Sequence, residues 1–338
     1  MSFWNKLKRP IMVLAPMADV TDPAFRRIIA KYGKPDVMWT EFVSADGLFL
    51  GGYEHLIKDL AFTEEERPIV AQFFTGKPEM MEKAAELAVD LGFDGIDINM
   101  GCPDKSVEKQ GGGAAHIKDP RLAQEIIQAA KRGASKNGKN LPVGVKTRIG
   151  YNKNELETWL PALLETNPAV ITLHARTRKE MSLVPARWEH VKRAVDIRDA
   201  FVDSTGKKSE TLIFGNGDVF DLNDGQRRVE ETGCDGVMLG RAIFGTPWLF
   251  SNSREWTNRN SSEVRKKILR IMVEHTKLFE KLLSYKSFAI MKKHYKAYVN
   301  GWDGAKELRM KLMEAEDASE VEAVVMDYLT NSNSMGKV

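Results

Sequence analysis

A chain of 338 residues, 43% hydrophobic and 29% charged, has the composition of a folded globular protein and room for one large domain plus a smaller one. No apolar run approaches the roughly 18 residues that span a bilayer, which argues against a membrane protein. Two widely separated cysteines, Cys102 and Cys234, exclude a disulfide framework, suggest no metal site and point to a reducing, cytoplasmic setting.

The N-terminus, MSFWNKLKRPIMVLAPM, sets basic residues before a short apolar run without a cleavage pattern, so it is expected to lead into a first strand. From there strand and helix signals alternate. Apolar, β-rich segments fall at 11–15, 37–43, 69–74, 95–99, 143–147, 170–174, 212–214 and 236–239. Between them, 23–31, 78–91, 120–132, 155–164, 188–199 and 222–232 carry helical periodicity. Thr21-Asp22-Pro23 and Asp119-Pro120 each place a cap before a first-turn proline. Eight strands with crossover helices predict an α/β fold, a (β/α)8 TIM barrel over residues 1–252. An open doubly wound sheet is the alternative. The polar segment 203–210 is expected to be an exposed loop.

After residue 252 the pattern turns helical. Stretches 264–283 and 288–299 are amphipathic, Asn300-Gly-Trp-Asp-Gly304 breaks the helix, and another helix is expected from about Ala305. Residues 253–338 are thus read as a small all-α C-terminal domain. The net charge of +3 is concentrated there: residues 263–311 hold 13 Lys and Arg against 5 Asp and Glu, leaving the rest of the chain at −5. A basic module on a slightly acidic body suits a polyanion. Lys292, Lys293 and Lys296, interleaved with His294, Tyr295 and Tyr298, are candidates for backbone and base contacts with a nucleic acid.

In a barrel, catalytic residues lie just past the C-terminal ends of the strands. Those positions hold Ala15-Pro16-Met17, Gln72, Asn99 and Cys102, Lys146 and Arg148, His174 and Arg176, Asn216-Gly217-Asp218, and Gly240-Arg241. Buried strands favour apolar side chains, so polar or otherwise special residues at seven mouths mark a site. The turns after strands seven and eight, with the guanidinium of Arg241, suit a phosphate. Gln72, Lys146 and His174 can hydrogen-bond and offset charge on a flat polar ring, a combination that fits a flavin mononucleotide.

The runs Ala15-Pro-Met-Ala-Asp-Val-Thr-Asp-Pro-Ala-Phe-Arg26, Asn99-Met-Gly-Cys-Pro103, Lys146-Thr-Arg148, His174-Ala-Arg-Thr177, Gly215-Asn-Gly-Asp218 and Leu239-Gly-Arg241 resemble the motifs of tRNA-dihydrouridine synthases. Met291-Lys-Lys-His294 and Gly304-Ala-Lys-Glu-Leu-Arg309 are similar to that family's helical domain. The resemblance spans roughly residues 10–315, with the tail after Asp317 outside it. It implies an FMN-binding barrel followed by a helical tRNA-binding domain, reducing the C5–C6 bond of selected tRNA uridines with NADPH as a transient reductant. Carried over, it makes Cys102 the proton donor. It gives FMN, bound tightly but not covalently, to Pro16, Met17, Ala18, Gln72, Lys146, His174, Asn216, Gly217, Asp218, Gly240 and Arg241. Asn99, Arg148 and Arg176 would line the uridine and phosphate side. His116 stands where members commonly carry an aliphatic residue. The expected partner is tRNA, with no membrane, no stable protein partner and a monomeric state.

The chemistry is consistent with a thiol. Hydride addition at uracil C6 leaves negative charge at C5, and a free cysteine, with a pKa near about 8.5, is still protonated at neutrality and can supply the proton. The rival readings are a flavin barrel acting on a small molecule, as dihydroorotate-type dehydrogenases do, a flavin-free barrel isomerase, and a tRNA-binding or folding factor. The first leaves the basic helices without a role, and a bound yellow chromophore would exclude the second.

Overall fold

The computed structural model describes residues 2–136, 138–251, 253–256 and 258–335, with the side chains of Arg254 and of 331–335 left aside. Eight strands, β1 (Ile11–Leu14), β2 (Met38–Ser44), β3 (Ile69–Phe74), β4 (Gly95–Met100), β5 (Val143–Arg148), β6 (Val170–His174), β7 (Leu212–Asn216) and β8 (Gly236–Leu239), follow one another in the chain. They pair in parallel in the order β1-β8-β7-β6-β5-β4-β3-β2. The sheet closes where Val13 of β1 bridges Val37, just before β2, and where Leu14 N donates to Val37 O at 3.3 Å. This is the (β/α)8 barrel that the strand spacing predicts, rather than an open sheet.

Helices α1 (Pro23–Gly33), α2 (Ala45–Phe49), α3 (Tyr53–Asp59), α4 (Pro78–Leu91), α5 (Lys105–Lys109), α6 (Pro120–Ala134), α7 (Leu156–Leu164), α8 (Glu189–Ala200) and α9 (Leu222–Thr232) fill the connections. The caps form as expected: Asp22 accepts from Phe25 N at 2.9 Å and Asp119 from Leu122 N at 3.0 Å, each satisfying an orphan first-turn donor ahead of a proline. Segment 203–210 is a small exposed turn folded around Asp203, whose carboxylate accepts from Thr205 N and Lys207 N, both at 2.9 Å.

Strand periodicity divides the barrel interior into two ends. Ile11, Val13, Val37, Trp39, Val70, Val170, Leu212 and Phe214 form one apolar cluster with Trp4 of the N-terminal segment. The Trp4 ring meets Phe214 edge-on at 5.6 Å, so the apolar lead-in plugs the end from which the strands start. Further along β3 to β7, on the same face, the side chains become polar: Gln72, Asp97, Lys146, His174 and Asn216. The sealed end stabilises the barrel and the polar end is left for chemistry.

The chain separates into two compact units, Met1–Ala18 with Pro35–Arg241, and Asp19–Lys34 with Ala242–Val338. The second unit therefore contains α1 as well as α10 (Ser262–Leu282), α11 (Ile290–Tyr298), α12 (Ala305–Glu314) and α13 (Ala318–Met335). Asn252, where the sequence pattern changes, lies outside the described residues. The membership of α1 has a physical cause. Lys31 Nζ and Tyr32 Oη both donate to Glu274 at 2.6 Å, and Phe25 stacks on His275 with centroids 4.7 Å apart. A Cβ on Gly33 would lie 2.6 Å from the Trp248 backbone, so only glycine permits that approach. Among the described residues, no helix is long and apolar enough to cross a membrane.

Candidate active site

Strand register gathers the polar end of the barrel. Gln72 pairs with Asp97, Asn99 with Lys146, Arg148 with His174, and His174 with Asn216, so these side chains stand in neighbouring columns on one face. Gln72 Nε2 donates to Asp97 Oδ2 at 2.5 Å. Lys146 Nζ donates to Asn216 Oδ1 at 3.2 Å, and Asn216 Nδ2 donates to Met238 O at 2.8 Å. Gly144 makes room for the carboxylate, since a Cβ there would sit 2.9 Å from Asp97 Oδ1. Gln72 Oε1, Asp97 Oδ1 and His174 Nδ1 are buried without a hydrogen-bond partner. Buried polar atoms are ordinarily satisfied, so three such atoms facing one barrel end describe a place for a polar ligand.

The electrostatics follow from burial. Loss of solvent pushes Asp97 up to about 7, against the opposing pull of Gln72 and Lys146. Lys146 is pulled down to about 8 by the same loss of solvent and then by neighbouring Arg148. His174 falls well below its ordinary value because it is enclosed and surrounded by Arg148, Lys146 and Arg176; it is neutral at physiological pH. The Cys102 thiol is pushed up, chiefly by burial, and stays protonated at neutrality.

Cys102 sits in the loop after β4, partly exposed. Asn99 directs its side-chain oxygen beneath that loop, accepting from Gly101 N at 3.1 Å and Cys102 N at 2.9 Å. Arg148, 9% exposed, donates to Gly101 O at 2.7 Å, Thr177 O at 3.1 Å and Met181 O at 3.0 Å. Asn99 and Arg148, two of the three residues that the resemblance places toward uridine and phosphate, are thus also engaged in holding loops, and the third, Arg176, donates through Nε to Val184 O. His116 is buried, its Nδ1 3.1 Å from Gly113 O.

After β7 the chain turns through Gly217 at φ +123° and Asp218 at φ +51°. A Cβ on Gly217 would lie 2.9 Å from Ala186 Cβ. The Asp218 carboxylate takes Arg241 Nη2 at 2.5 Å, Ala186 N at 2.8 Å and the guanidinium of Arg176. Asp218 therefore gathers two cations at the mouths of β7 and β8. Its side chain is occupied by them, and Arg241 keeps a side chain 66% exposed. Pro16 is buried, Met17 half-buried and Ala18 exposed at the mouth of β1; a Cβ on Gly240 would meet Met17 Sδ at 3.6 Å.

In the helical unit, Lys296 is exposed and Lys292 and Lys293 are half-buried along α11. His294, Tyr295 and Tyr298 are fully buried. These three do not offer ring faces to a nucleic acid: their spacing is that of a helix's inner face, and they form core with Phe25, His275 and Phe244. Reading the charge pattern without the helical phase overlooked this. Also missed were Asp97, although a charge in an apolar strand is the signal for it, and the loop cations Arg178 and Arg187 with their carboxylate partners.

A family model described as dihydrouridine synthase (Dus) matches residues 13–333, which carries the likeness through α13 and past the limit near residue 315 that the motifs suggest. A probable tRNA-dihydrouridine synthase of Staphylococcus aureus (strain COL) is 38% identical over 332 residues, covering 97% of this chain and 95% of that protein. Probable tRNA-dihydrouridine synthase 2 of Bacillus subtilis (strain 168) is 38% identical over 330 residues, covering 97% and 96%. Among solved structures, histamine dehydrogenase from Rhizobium sp. 4-9 aligns over 79% of this chain at 13% identity with a TM-score of 0.52. This chain spans about half of that structure, 48% of its length, and the likeness is one of fold alone. Matched along nearly all of its length, and sharing 38% of its residues with relatives that carry the name, the chain belongs to the dihydrouridine synthase family.

Proposed function

We propose that this protein reduces the C5–C6 double bond of uridines in tRNA to 5,6-dihydrouridine, with non-covalent FMN, NADPH as reductant and Cys102 as the acid. The family and the names of its relatives support the reaction and the RNA substrate. The observation that carries the chemistry is the protonated Cys102 thiol, fixed at the barrel mouth beside a ring of polar side chains.

The polar end of the barrel fits FMN. Gln72 Oε1, Asp97 Oδ1 and His174 Nδ1 are buried polar atoms in want of a partner, and Lys146 brings a positive charge that is retained at neutral pH. Gly217 and Gly240 leave the backbone bare after β7 and β8, where Arg241 can turn from Asp218 toward a phosphate. When bound there, FMN supplies the hydride it receives from NADPH.

The chain's own residues do the rest. Neutral His174 and the amide of Gln72 offer directed hydrogen bonds without adding charge, while Lys146 offsets negative charge. Cys102 donates its proton to C5 of the uracil, and the thiolate regains a proton from solvent before the next turnover. The base has to leave its stack to reach the barrel mouth, and the basic C-terminal helices offer Lys292, Lys293 and Lys296 to the RNA backbone. The test is anaerobic: reduce the purified protein with NADPH, remove excess reductant, add unmodified tRNA and follow the flavin spectrum. Return of the oxidised spectrum, with dihydrouridine in the RNA, is expected. A flavin that stays reduced in the presence of tRNA overturns the reading.

A further inference from the structure

Every backbone donor and acceptor of Gly101-Cys102-Pro103 has a partner. Gly101 N and Cys102 N donate to Asn99 Oδ1, Gly101 O accepts from Arg148 Nε, and Cys102 O accepts from Ala114 N at 2.9 Å. Pro103 has no N–H, and its carbonyl accepts from Arg178 Nη2 at 3.2 Å. The first four links come from β4, β5 and the glycine-rich segment that follows Cys102. Gly113, at φ +60°, lets that segment approach so closely that a Cβ would lie 2.7 Å from Cys102 O.

The fifth link is different in kind, because it comes from the loop after β6. Arg178 also grips Glu108, on the helix that immediately follows the cysteine loop, through Nε at 2.9 Å and Nη2 at 2.7 Å. This is the paired fork that guanidinium and carboxylate make best. Tyr151 Oη donates to the same carboxylate at 3.3 Å, and Lys118 Nζ lies 3.9 Å from the Tyr151 ring centroid. Arg178 is itself fixed at the backbone: its N–H donates to Gly150 O, and Lys179 N donates to Tyr151 O, both at 2.9 Å. The two side chains of the pair are only 21% and 14% exposed, so the link is shielded more than a surface ion pair.

We propose that the Arg178–Glu108 pair is a latch that positions the Cys102 loop, holding the thiol where it can reach a base. The proposal rests on the reading of Cys102 as the acid. Arg178 and Glu108 are positioning residues: they act through Pro103 and α5, and neither is needed for flavin reduction. A misplacement of about 1 Å at a reacting group can cost up to about a hundredfold in rate, so a loosened loop is expected to show clearly in turnover.

The experiment compares Arg178→Gln, Glu108→Gln and the double variant, each made in the wild-type protein and in a Cys102→Ala protein. Two rates are read: single-turnover reoxidation of the flavin by tRNA, and alkylation of Cys102 by iodoacetamide without tRNA, located by peptide mass. Cys234 is buried and serves as the internal control. The expected result is a loss of about tenfold or more in reoxidation for each single variant, with the double no worse than either. Alkylation of Cys102 should speed up severalfold, and NADPH reduction of the flavin should keep its rate. In the Cys102→Ala protein the residual reoxidation should not slow further when Arg178 is changed. An equal slowing in that background would place Arg178 in RNA contact or general stability and overturn the latch; so would unchanged alkylation in both single variants. If wild-type protein is not reoxidised by tRNA, the uridine reading fails, and alkylation still decides the latch. Should Arg178→Gln not fold, Glu108→Gln answers the question alone.

Discussion

Gln72 Nε2 donates to Asp97 Oδ2 over 2.5 Å, between two residues that are 0% and 1% exposed. A carboxylate so placed loses its water, and its pKa rises to about 7 for that reason first. In the unfolded chain it would titrate near the ordinary value of 3.8. Between those two values the native protein holds a proton that the unfolded chain has released, so this group makes stability fall as pH rises through the window, with no further loss above about 7.

Asp97→Asn removes that dependence. Its stability relative to wild type should therefore improve from pH 5 to pH 7, by at most about 1.4 kcal/mol per pH unit. Denaturant midpoints of the flavin-stripped proteins at the two pH values are the measurement. A stability difference that is the same at both would show Asp97 charged in the native state throughout.

Lys146, on the neighbouring strand β5, has its pKa drawn down to about 8. The protonated form is the one suited to a ligand that carries negative charge. Affinity for FMN should thus weaken as pH rises from 7 to 9, approaching tenfold per unit above about 8. Lys146→Met should bind FMN more weakly at pH 7 and lose this slope. Quenching of FMN fluorescence on titration with flavin-stripped protein measures both, and an unchanged slope in the variant would assign the titration elsewhere.

The barrel was legible because its signals are local. Period-two apolar segments, caps such as Asp119 before Pro120, and special residues at strand ends each carry their own physics. What was not legible depends on residues far apart in the chain. Helix α1 lies between the first two strands in sequence, yet Lys31 and Tyr32 bind Glu274 in α10. Arg148 and Asn99 stand where strand-end logic puts them, but only the folded chain shows their hydrogen bonds directed to the cysteine loop. Helix α13, beyond the motif-bearing region, is held to the α10 side by Lys277 with Glu322 and to α12 by Lys311 with Asp327, pairs that no spacing rule would select. The aromatic residues of α11 misled because charge was counted without helical phase: His294, Tyr295 and Tyr298 face inward while Lys296 faces out.

That exposed face makes a prediction about RNA. If Lys292 and Lys296 meet phosphates, log affinity for tRNA should fall steeply with log salt concentration. A Lys292→Ala, Lys296→Ala double variant should lower the slope by about 1 for each phosphate that is no longer neutralised. Filter binding from 50 to 250 mM salt is sufficient. An unaltered slope would move the RNA-binding face to another surface.

Cys102 gives the last prediction its sharpest form. Its thiol is protonated because burial raises its pKa, and the nearby Lys146 and Arg148 only partly oppose that. A general acid of this kind works while it keeps its proton, so the rate of tRNA reduction should stay level from pH 6 to 8 and decline only above the ordinary thiol range. Cys102→Ala should slow tRNA reduction by about a hundredfold or more, within the range such acids contribute, and should leave flavin content and NADPH reduction as they were. Its residual rate should also lose the alkaline decline, because the group that loses its proton there is gone. Stopped-flow reoxidation across pH for both proteins makes the comparison. An alkaline limb that survives in Cys102→Ala would assign the proton to another group, with Lys146, at about 8, the next to test.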